Sequence, residues 1–222
     1  SRVSRGLGDV YKRQTSNPQD MTKEVIKIMK SYPNICNYIH LPVQSGSNKI
    51  LKLMNRGYTR EEYINLIDTI KKHIPDCGLS MDMISGFCDE TDSDHAMTLS
   101  LMDYVKYDYG YMFKYSDRPN TQAHRKLEDN VEDETKAIRL SEIISKQRQH
   151  SLENNKRKIG SKFEVLIEGI SKKSEYDFFG RNMQNNVIIF PKQKAKIGDT
   201  VTVEVEKLSL IHISEPTRHT RL

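Results

Sequence analysis

The groups in this chain that could do chemistry are three cysteines, a handful of polar loops and a lysine-rich stretch near the C-terminal side. Cys36, Cys77 and Cys88 form no C-x-x-C pair and no C-x-x-x-C-x-x-C triplet. Neither a zinc nor an iron–sulfur site can therefore be read from spacing, and three scattered thiols make no disulfide framework. His40 ends a β-prone run and precedes Gln44-Ser45-Gly46-Ser47. That loop offers a side-chain amide, two hydroxyls and pliable backbone beside a helix start, which suits a carboxylate, ribose or phosphate. The same residues also make an ordinary βα turn. Asp82 sits in an apolar strand, so it faces a cavity with a partner or is costly to bury. Lys114 lies in another apolar strand, three before Asp117 and four before Arg118, where a structural ion pair is the plain alternative to a binding role.

The elements that must position these groups follow from periodicity. Met21–Ser31 has helical spacing with Val25, Ile28 and Met29 inward and Asp20 as its cap, and Pro33 follows its end. Asn37–Val43 reads as a strand. Asn48–Met54 reads as a short helix that Gly57 ends. Thr59–Glu62 is a capping box opening a helix that turns Tyr63, Leu66, Ile67 and Ile70 inward. Gly78–Phe87 reads as a buried strand, Thr91 or Asp92 caps a helix running to Lys106, and Tyr109–Tyr115 is a further strand. Glu132–Arg157 is a long amphipathic helix carrying Ile138, Leu140, Ile143 and Ile144. Strands alternating with helices predict βα units and a parallel sheet. Three units are too few for a closed eight-stranded barrel, so part of a barrel or an open α/β sheet is expected. The polar clusters HLPVQSGS, GFCDET and KYSDRPNT each follow a strand, as loops gathered at one barrel rim would.

From Ile159 the rhythm changes to short strands punctuated by Gly160, Gly169, Gly180 and Gly198: Lys162–Glu168, Asp177–Arg181, Asn186–Phe190 and Thr200–Glu206. Four such strands predict a small β-barrel of oligonucleotide-binding type that a fifth would close. Phe178 and Phe179 are adjacent, so at most one of them faces outward.

Composition sets the outer limits. The 222 residues are 36% hydrophobic and 29% charged, enough for a core, and no run approaches the ~18 apolar residues of a membrane span. A reduced, cytoplasmic setting is expected. The net charge of +5 is concentrated: residues 156–207 hold eleven basic against seven acidic residues. Ser4–Gln14 and Leu208–Arg218 can be encoded by one DNA segment in opposite orientations, a segment that resembles a sequencing-library adapter. Residues 1–14 and 208–222 are accordingly expected to be non-native. Residues 15–158 are expected to form the back part of a barrel, and 159–207 a second domain lacking its last strand.

These residues carry a family resemblance. Tyr38–Tyr63 (YIHLPVQSGSNKILKLMNRGYTREEY), Ile74–Thr91 (IPDCGLSMDMISGFCDET) and Tyr111–Ala123 (YMFKYSDRPNTQA) are similar to successive segments of radical S-adenosylmethionine tRNA methylthiotransferases. Glu164–Pro191 resembles the RNA-binding TRAM domain of the same enzymes. The resemblance implies S-adenosylmethionine and two 4Fe–4S clusters as cofactors, with the cluster cysteines outside this sequence. It implies a monomer acting on the anticodon stem-loop of tRNA, with no membrane and no DNA. The implied reaction adds a methylthio group to carbon 2 of isopentenyladenosine beside the anticodon. By matching position, His40, Gln44, Ser45 and Ser47 are expected beside S-adenosylmethionine, with Ile84 and Gly86 along its adenine. Lys114, Ser116, Arg118 and Thr121 are expected near the adenosine, and Lys172, Lys173 and Arg181 as one basic stripe on tRNA. Met81 in place of Thr, Cys88-Asp89 in place of Pro-Gly, and Asn120 in place of Gly depart from the family pattern.

Three readings follow. The first is a radical sulfur-inserting transferase, with this chain inactive by itself or, in a variant, a relative acting on another modified adenosine. The second is an RNA-binding fragment without catalysis. The third, a barrel lyase or hydrolase using Asp82, Glu90 and Lys114, needs a closed barrel that the residue count does not allow. Because thiolates hold such clusters, anaerobic reconstitution of this chain with iron and sulfide should yield no stoichiometric 4Fe–4S absorbance. Appearance of that absorbance would refute the cysteine reading.

Overall fold

The computed structural model describes residues 16–192 and 194–208. The two segments expected to be non-native thus lie outside the described residues, apart from Leu208. A 3-10 turn at Pro18–Asp20 leads into α1 (Lys23–Ser31), and Thr22, not Asp20, caps it by accepting from the Val25 amide. The buried face of α1 is also not the one expected. Ile26 is fully buried and Met29 is partly so, whereas Ile28 is 52% exposed and Val25 is exposed. Apolar residues at four of five successive positions cover most of the helix circumference, so periodicity alone does not select the inward side.

The parallel sheet contains β1 (Tyr38–His40), β2 (Gly78–Ser85) and β3 (Tyr109–Lys114), in the order β1-β2-β3. Between them run α2 (Asn48–Leu53), α3 (Arg60–His73) and α4 (Asp92–Val105). The expected capping box of Thr59 with Glu62 forms on α3, and on α4 Thr91, not Asp92, is the cap and makes a second box with Asp94. The short α2 turns at Asn55, whose φ is +56°, ahead of the expected Gly57. A helix not foreseen, α5 (Gln122–Lys126), is capped by Thr121. Next comes α6 (Asp133–Lys156).

α1, α2, α3, α4 and α6 share one side of the sheet. Ile39, Leu79, Met81, Met83 and Met112 point toward them and join Ile26, Tyr63, Ile67, Ile70, Leu101, Met102 and Ile143 in one core. Within α6 the buried residues are Lys136, Arg139, Ile143, Gln147 and His150, and Ile138 is 55% exposed. A buried stripe this polar requires partners. Arg139 donates to Glu90 at 3.0 Å and Asp92 at 2.7 Å, Lys136 pairs with Asp129 at 2.6 Å, and Gln147 donates to the Tyr107 carbonyl at 2.8 Å. These bonds tie α6 to the loop after β2 and to the start of β3.

The second unit is antiparallel, in the order β6-β5-β4-β7. Its strands are β4 (Lys162–Ile170), β5 (Asp177–Arg181), β6 (Val187–Pro191) and β7 (Thr200–Glu204), curled over Val165, Ile167, Phe178, Phe190 and Val203. Phe178 is buried, as its alternation with Phe179 allows. The turn between β5 and β6 rests on the edge where the parallel strands begin. Gln184 donates to Asp76 at 2.8 Å, and Lys158 bridges Asp108 at 3.1 Å and Asn186 at 3.0 Å.

One buried carboxylate holds the loop after β1. Asp94 accepts from Ser47 Oγ at 2.6 Å, Thr91 Oγ1 at 2.7 Å, the Thr91 amide at 2.9 Å and Lys49 Nζ at 3.0 Å. Burial raises its pKa, but these hydrogen bonds outweigh that and hold the carboxyl well below the ordinary range. A group so lowered stabilises the fold above the unfolded-state pKa and loses that contribution as pH falls toward the folded one. Asp94→Asn should therefore cost about 2–3 kcal/mol at neutral pH, the range for charge-assisted bonds, with a smaller penalty near pH 3. Urea titrations at both pH values check this; a cost below 0.5 kcal/mol at neutral pH would contradict it.

Candidate functional site

The sheet face turned away from the helices is built by alternation. Tyr38 and His40 on β1, Ser80, Asp82 and Ile84 on β2, and Tyr109, Tyr111 and Phe113 on β3 all project to it, since successive strand residues point to opposite sides. Register sets Ser80 beside Tyr109, Asp82 beside Tyr111 and Ile84 beside Phe113.

Polar groups run in a line across this face. The Tyr38 hydroxyl meets Ser80 Oγ at 2.6 Å, Ser80 Oγ meets His40 Nδ1 at 2.7 Å, and His40 Nε2 lies 3.3 Å from Asp82 Oδ1. Ser80 is fully buried beneath them. Burial raises the Tyr38 pKa, an effect that hydrogen bonding to Ser80 and to Asn185 of the β5–β6 turn partly offsets. The imidazole is thus held by both ring nitrogens, with the Asp82 carboxylate on its open side. Tyr111 meets His40 edge-on at 5.8 Å and Tyr109 at 5.0 Å. Tyr109, Tyr111 and Phe113 are each exposed. Flat aromatic surface beside a fixed carboxylate suits a heteroaromatic ring with hydroxyl or ammonium groups.

The loop after β1 is partly what its composition offers. Gln44 has φ +73° and bonds on both sides to β2, donating to the Asp82 carbonyl and accepting from the Ile84 amide, each at 2.9 Å. Its side-chain amide has no hydrogen-bond partner among the described residues. The two serines are already engaged. Ser45 Oγ meets Thr98 Oγ1 at 3.3 Å, and Ser47 caps α2 while donating to Asp94. Gly46 is required by packing, because a Cβ there would stand 2.5 Å from the Met97 carbonyl oxygen. Gly86 has φ +71° and donates to Glu90 Oε1 at 2.9 Å. Burial raises the Glu90 pKa, countered in part by the Gly86 amide and Arg139.

The remaining expected site residues divide. Lys114 pairs with Asp133 at 3.2 Å, not with Asp117, whose carboxylate meets His124. Thr121 donates to the Arg118 carbonyl at 2.9 Å and accepts from His124 N at 3.2 Å, so its hydroxyl shapes the turn. Asn120 takes the left-handed conformation with φ +69°. Ser116 and Arg118 are exposed, with side chains unpaired among the described residues. On the second unit, Lys172 and Lys173 sit in the β4–β5 turn, while Arg181 is at the far end of β5 bonded to Glu168 at 2.6 Å. The expected single stripe is therefore split.

The cysteines do not come together. Cys77 precedes β2 and Cys88 follows it, at opposite ends of an eight-residue strand, and Cys36 precedes β1. Burial, with Asp108 and Asp76 nearby, pushes the Cys77 thiol up to about 12, the opposite of a metal-ready thiolate. Among the described residues no group of three His, Cys, Asp or Glu side chains could hold a metal ion.

Comparison with known proteins agrees with this architecture. Residues 5–102 match the radical SAM superfamily model, and residues 156–210 match the TRAM domain model. A tRNA-2-methylthio-N(6)-dimethylallyladenosine synthase of Christiangramia forsetii is 59% identical over 203 residues, 91% of this chain and 42% of that protein. Proteins of the same name from Flavobacterium johnsoniae and Bacteroides thetaiotaomicron are 54% and 52% identical over 86% and 88% of this chain, and 40% and 43% of their own lengths. Coproporphyrinogen III oxidase (HemN) from Escherichia coli, a radical SAM enzyme, shares the fold with a TM-score of 0.52 at 17% identity. That match covers 76% of this chain and 45% of the oxidase. The chain spans about two-fifths of the length of its curated relatives. The parallel sheet with its helices thus carries a radical SAM match and the curled antiparallel unit a TRAM match, and across both the chain is similar to tRNA methylthiotransferases.

Proposed function

We propose that this chain is the substrate-facing back part of an enzyme that methylthiolates carbon 2 of N6-dimethylallyladenosine in the anticodon stem-loop of cytoplasmic tRNA. The observation that carries the reading is 59% identity across both domains to a synthase of that name. The whole protein would act as a monomer, and no described helix is long and apolar enough to cross a membrane.

The helix-free sheet face is suited to S-adenosylmethionine. The unpartnered Gln44 amide and the Asp82 carboxylate are suited to its ribose and amino-acid groups. Ile84, half-buried above Gly86, offers apolar surface for its adenine. When bound, that cofactor supplies both the methyl group and the precursor of the hydrogen-abstracting radical. The chain's share is positioning and exclusion of water. Ser80 and Tyr38 fix His40, and His40 fixes Asp82. Ser45 and Ser47 act one step back, by holding the loop that carries Gln44. Lys114, Ser116, Arg118 and Thr121 form the rim on which the adenosine would rest, with Arg118 the cation there free to meet a phosphate. No step is assigned to an iron–sulfur cluster, because the described cysteines do not fit one.

The separated cysteines and the unpaired lysines of the TRAM unit favour a narrower reading for the 222 residues alone, as an RNA-binding piece that supplies no cluster ligands. A chimera distinguishes the two. Residues 16–207 would replace the matching segment of the Christiangramia forsetii relative, and tRNA nucleosides would be analysed by mass spectrometry. The methylthiolated nucleoside should accumulate; persistence of its unmodified precursor alone would refute the proposed activity. In the same chimera, Asp82→Asn should lower methylthiolation about tenfold, as expected for one lost charge-assisted contact. Its thermal midpoint should move by less than about 2 °C, since Asp82 is partly exposed. An unchanged rate would remove Asp82 from the site.

A further inference from the structure

The β4–β5 turn gathers groups that the expected lysine–arginine stripe did not include. Ser171 and Ser174 shape it, accepting from the Lys173 amide at 3.4 Å and the Tyr176 amide at 3.2 Å. This geometry leaves Tyr176 75% exposed, unusual for a ring with so much apolar surface. Across the ladder, the Lys192 amide donates to the Tyr176 carbonyl at 2.8 Å, which brings β6's end beside the turn. Lys192 Nζ stands 5.6 Å over the Phe178 ring, and that ring packs on Phe190 in the core. The lysine is thereby anchored beside Tyr176 with its ammonium at the surface. Lys172, Lys173 and Lys192 make no ion pair among the described residues, whereas Arg181 is neutralised by Glu168.

We infer that this edge is a single-strand RNA subsite in which Tyr176 stacks on one unpaired base while Lys172, Lys173 and Lys192 meet the flanking phosphates. The inference deepens the proposed tRNA reading and rests on it for the class of ligand. Its chemistry is specific. A ring offered on a turn, with three free cations around it, suits a splayed nucleotide, since bases inside a duplex have no open face. The cations alone would bind duplex and single strand alike through counterion release.

The test uses the 222-residue chain and fluorescein-labelled RNA probes, an adenosine dodecamer and a blunt duplex of equal length, titrated at several salt concentrations. Tyr176→Ala should weaken single-strand binding about tenfold at every salt concentration, because stacking is not counterion release, while Tyr176→Phe keeps wild-type affinity. Joint replacement of Lys172, Lys173 and Lys192 by Ala should flatten the log–log salt slope by about 2. Because Tyr176 is so exposed, circular dichroism of Tyr176→Ala should match the wild type. The inference is overturned if Tyr176→Ala binds as well as wild type, if Tyr176→Phe loses as much as Tyr176→Ala, if the duplex is bound as tightly as the single strand, or if the wild-type chain binds neither probe. A chimera without methylthiolation alongside a tenfold Tyr176→Ala effect would sink the proposed reaction and leave this subsite standing.

Discussion

The buried carboxylate of Asp94 is the constraint on which the loop end of the parallel sheet depends. A carboxylate removed from water is tolerated only when its lone pairs are filled, and here the donors come from two separate parts of the chain. Thr91 belongs to the same helix start, while Ser47 and Lys49 belong to the loop and helix after β1. Satisfying Asp94 therefore fixes the distance between those two loops. Thr98, one turn further along α4, extends the clamp by accepting from the Gly46 amide at 2.9 Å. Arg60 closes it from α3, donating to the Gly46 carbonyl at 3.0 Å and to Ser100 Oγ at 2.9 Å. With the loop pinned in this way, Gln44 is forced into its left-handed conformation and onto the edge of β2. The unpartnered amide consequently stands at the site and not in solvent.

A second clamp acts on the next loop. Glu90 is 6% exposed and binds the Gly86 amide and Arg139 together. Lys136 excludes any side chain at position 86, since a Cβ there would lie 2.2 Å from Lys136 Cγ. Both clamps use ionic groups whose isolated burial would be destabilising and whose pairing specifies geometry more than it adds stability. Between them lies the helix-free sheet face, where the Tyr38–Ser80–His40–Asp82 line is a polar track among aromatic rings. Its first member also touches the β5–β6 turn of the TRAM unit. The TRAM unit and the parallel-sheet unit thus share a hydrogen-bonded boundary as well as the connection through α6.

Much of this was legible in the residues. The capping box at Thr59, a cap at Thr91 or Asp92, the alternation of strands and helices, and the four short strands after Ile159 follow from local rules that tertiary structure did not override. The pairing of Asp82 follows from the cost of leaving it alone in an apolar strand. The face of α1 was not legible, because Val25, Ile26, Ile28 and Met29 together satisfy more than one inward direction. On α6, Ile143 is buried and Leu140 and Ile144 pack on the core as expected, but the polar part of its inner stripe was not legible. Lys136, Arg139, Gln147 and His150 look like solvent-facing residues until their partners Asp129, Glu90, Tyr107 and Asp103 are known, and those lie up to 49 positions away. At the site, the serines looked like ligand groups because composition cannot show that Asp94 and Thr98 already hold them. The aromatic shelf was present in the spacing of Tyr109, Tyr111 and Phe113, one strand period apart, and needed only the assignment of β3's inward side to Gly110 and Met112.

The central claim is that the clamp on Asp94 makes the loop after β1 as rigid as the strands it joins. Amide hydrogen exchange followed by NMR measures this directly, with the Gly46 amide as reporter, since it donates to Thr98 Oγ1 inside the clamp. The account predicts that Gly46 exchanges only in the same large opening that releases Met81 and Met83 of β2, with protection free energies that agree within about 1 kcal/mol. Rapid exchange of Gly46, as from an ordinary surface turn, while β2 remains protected would contradict it.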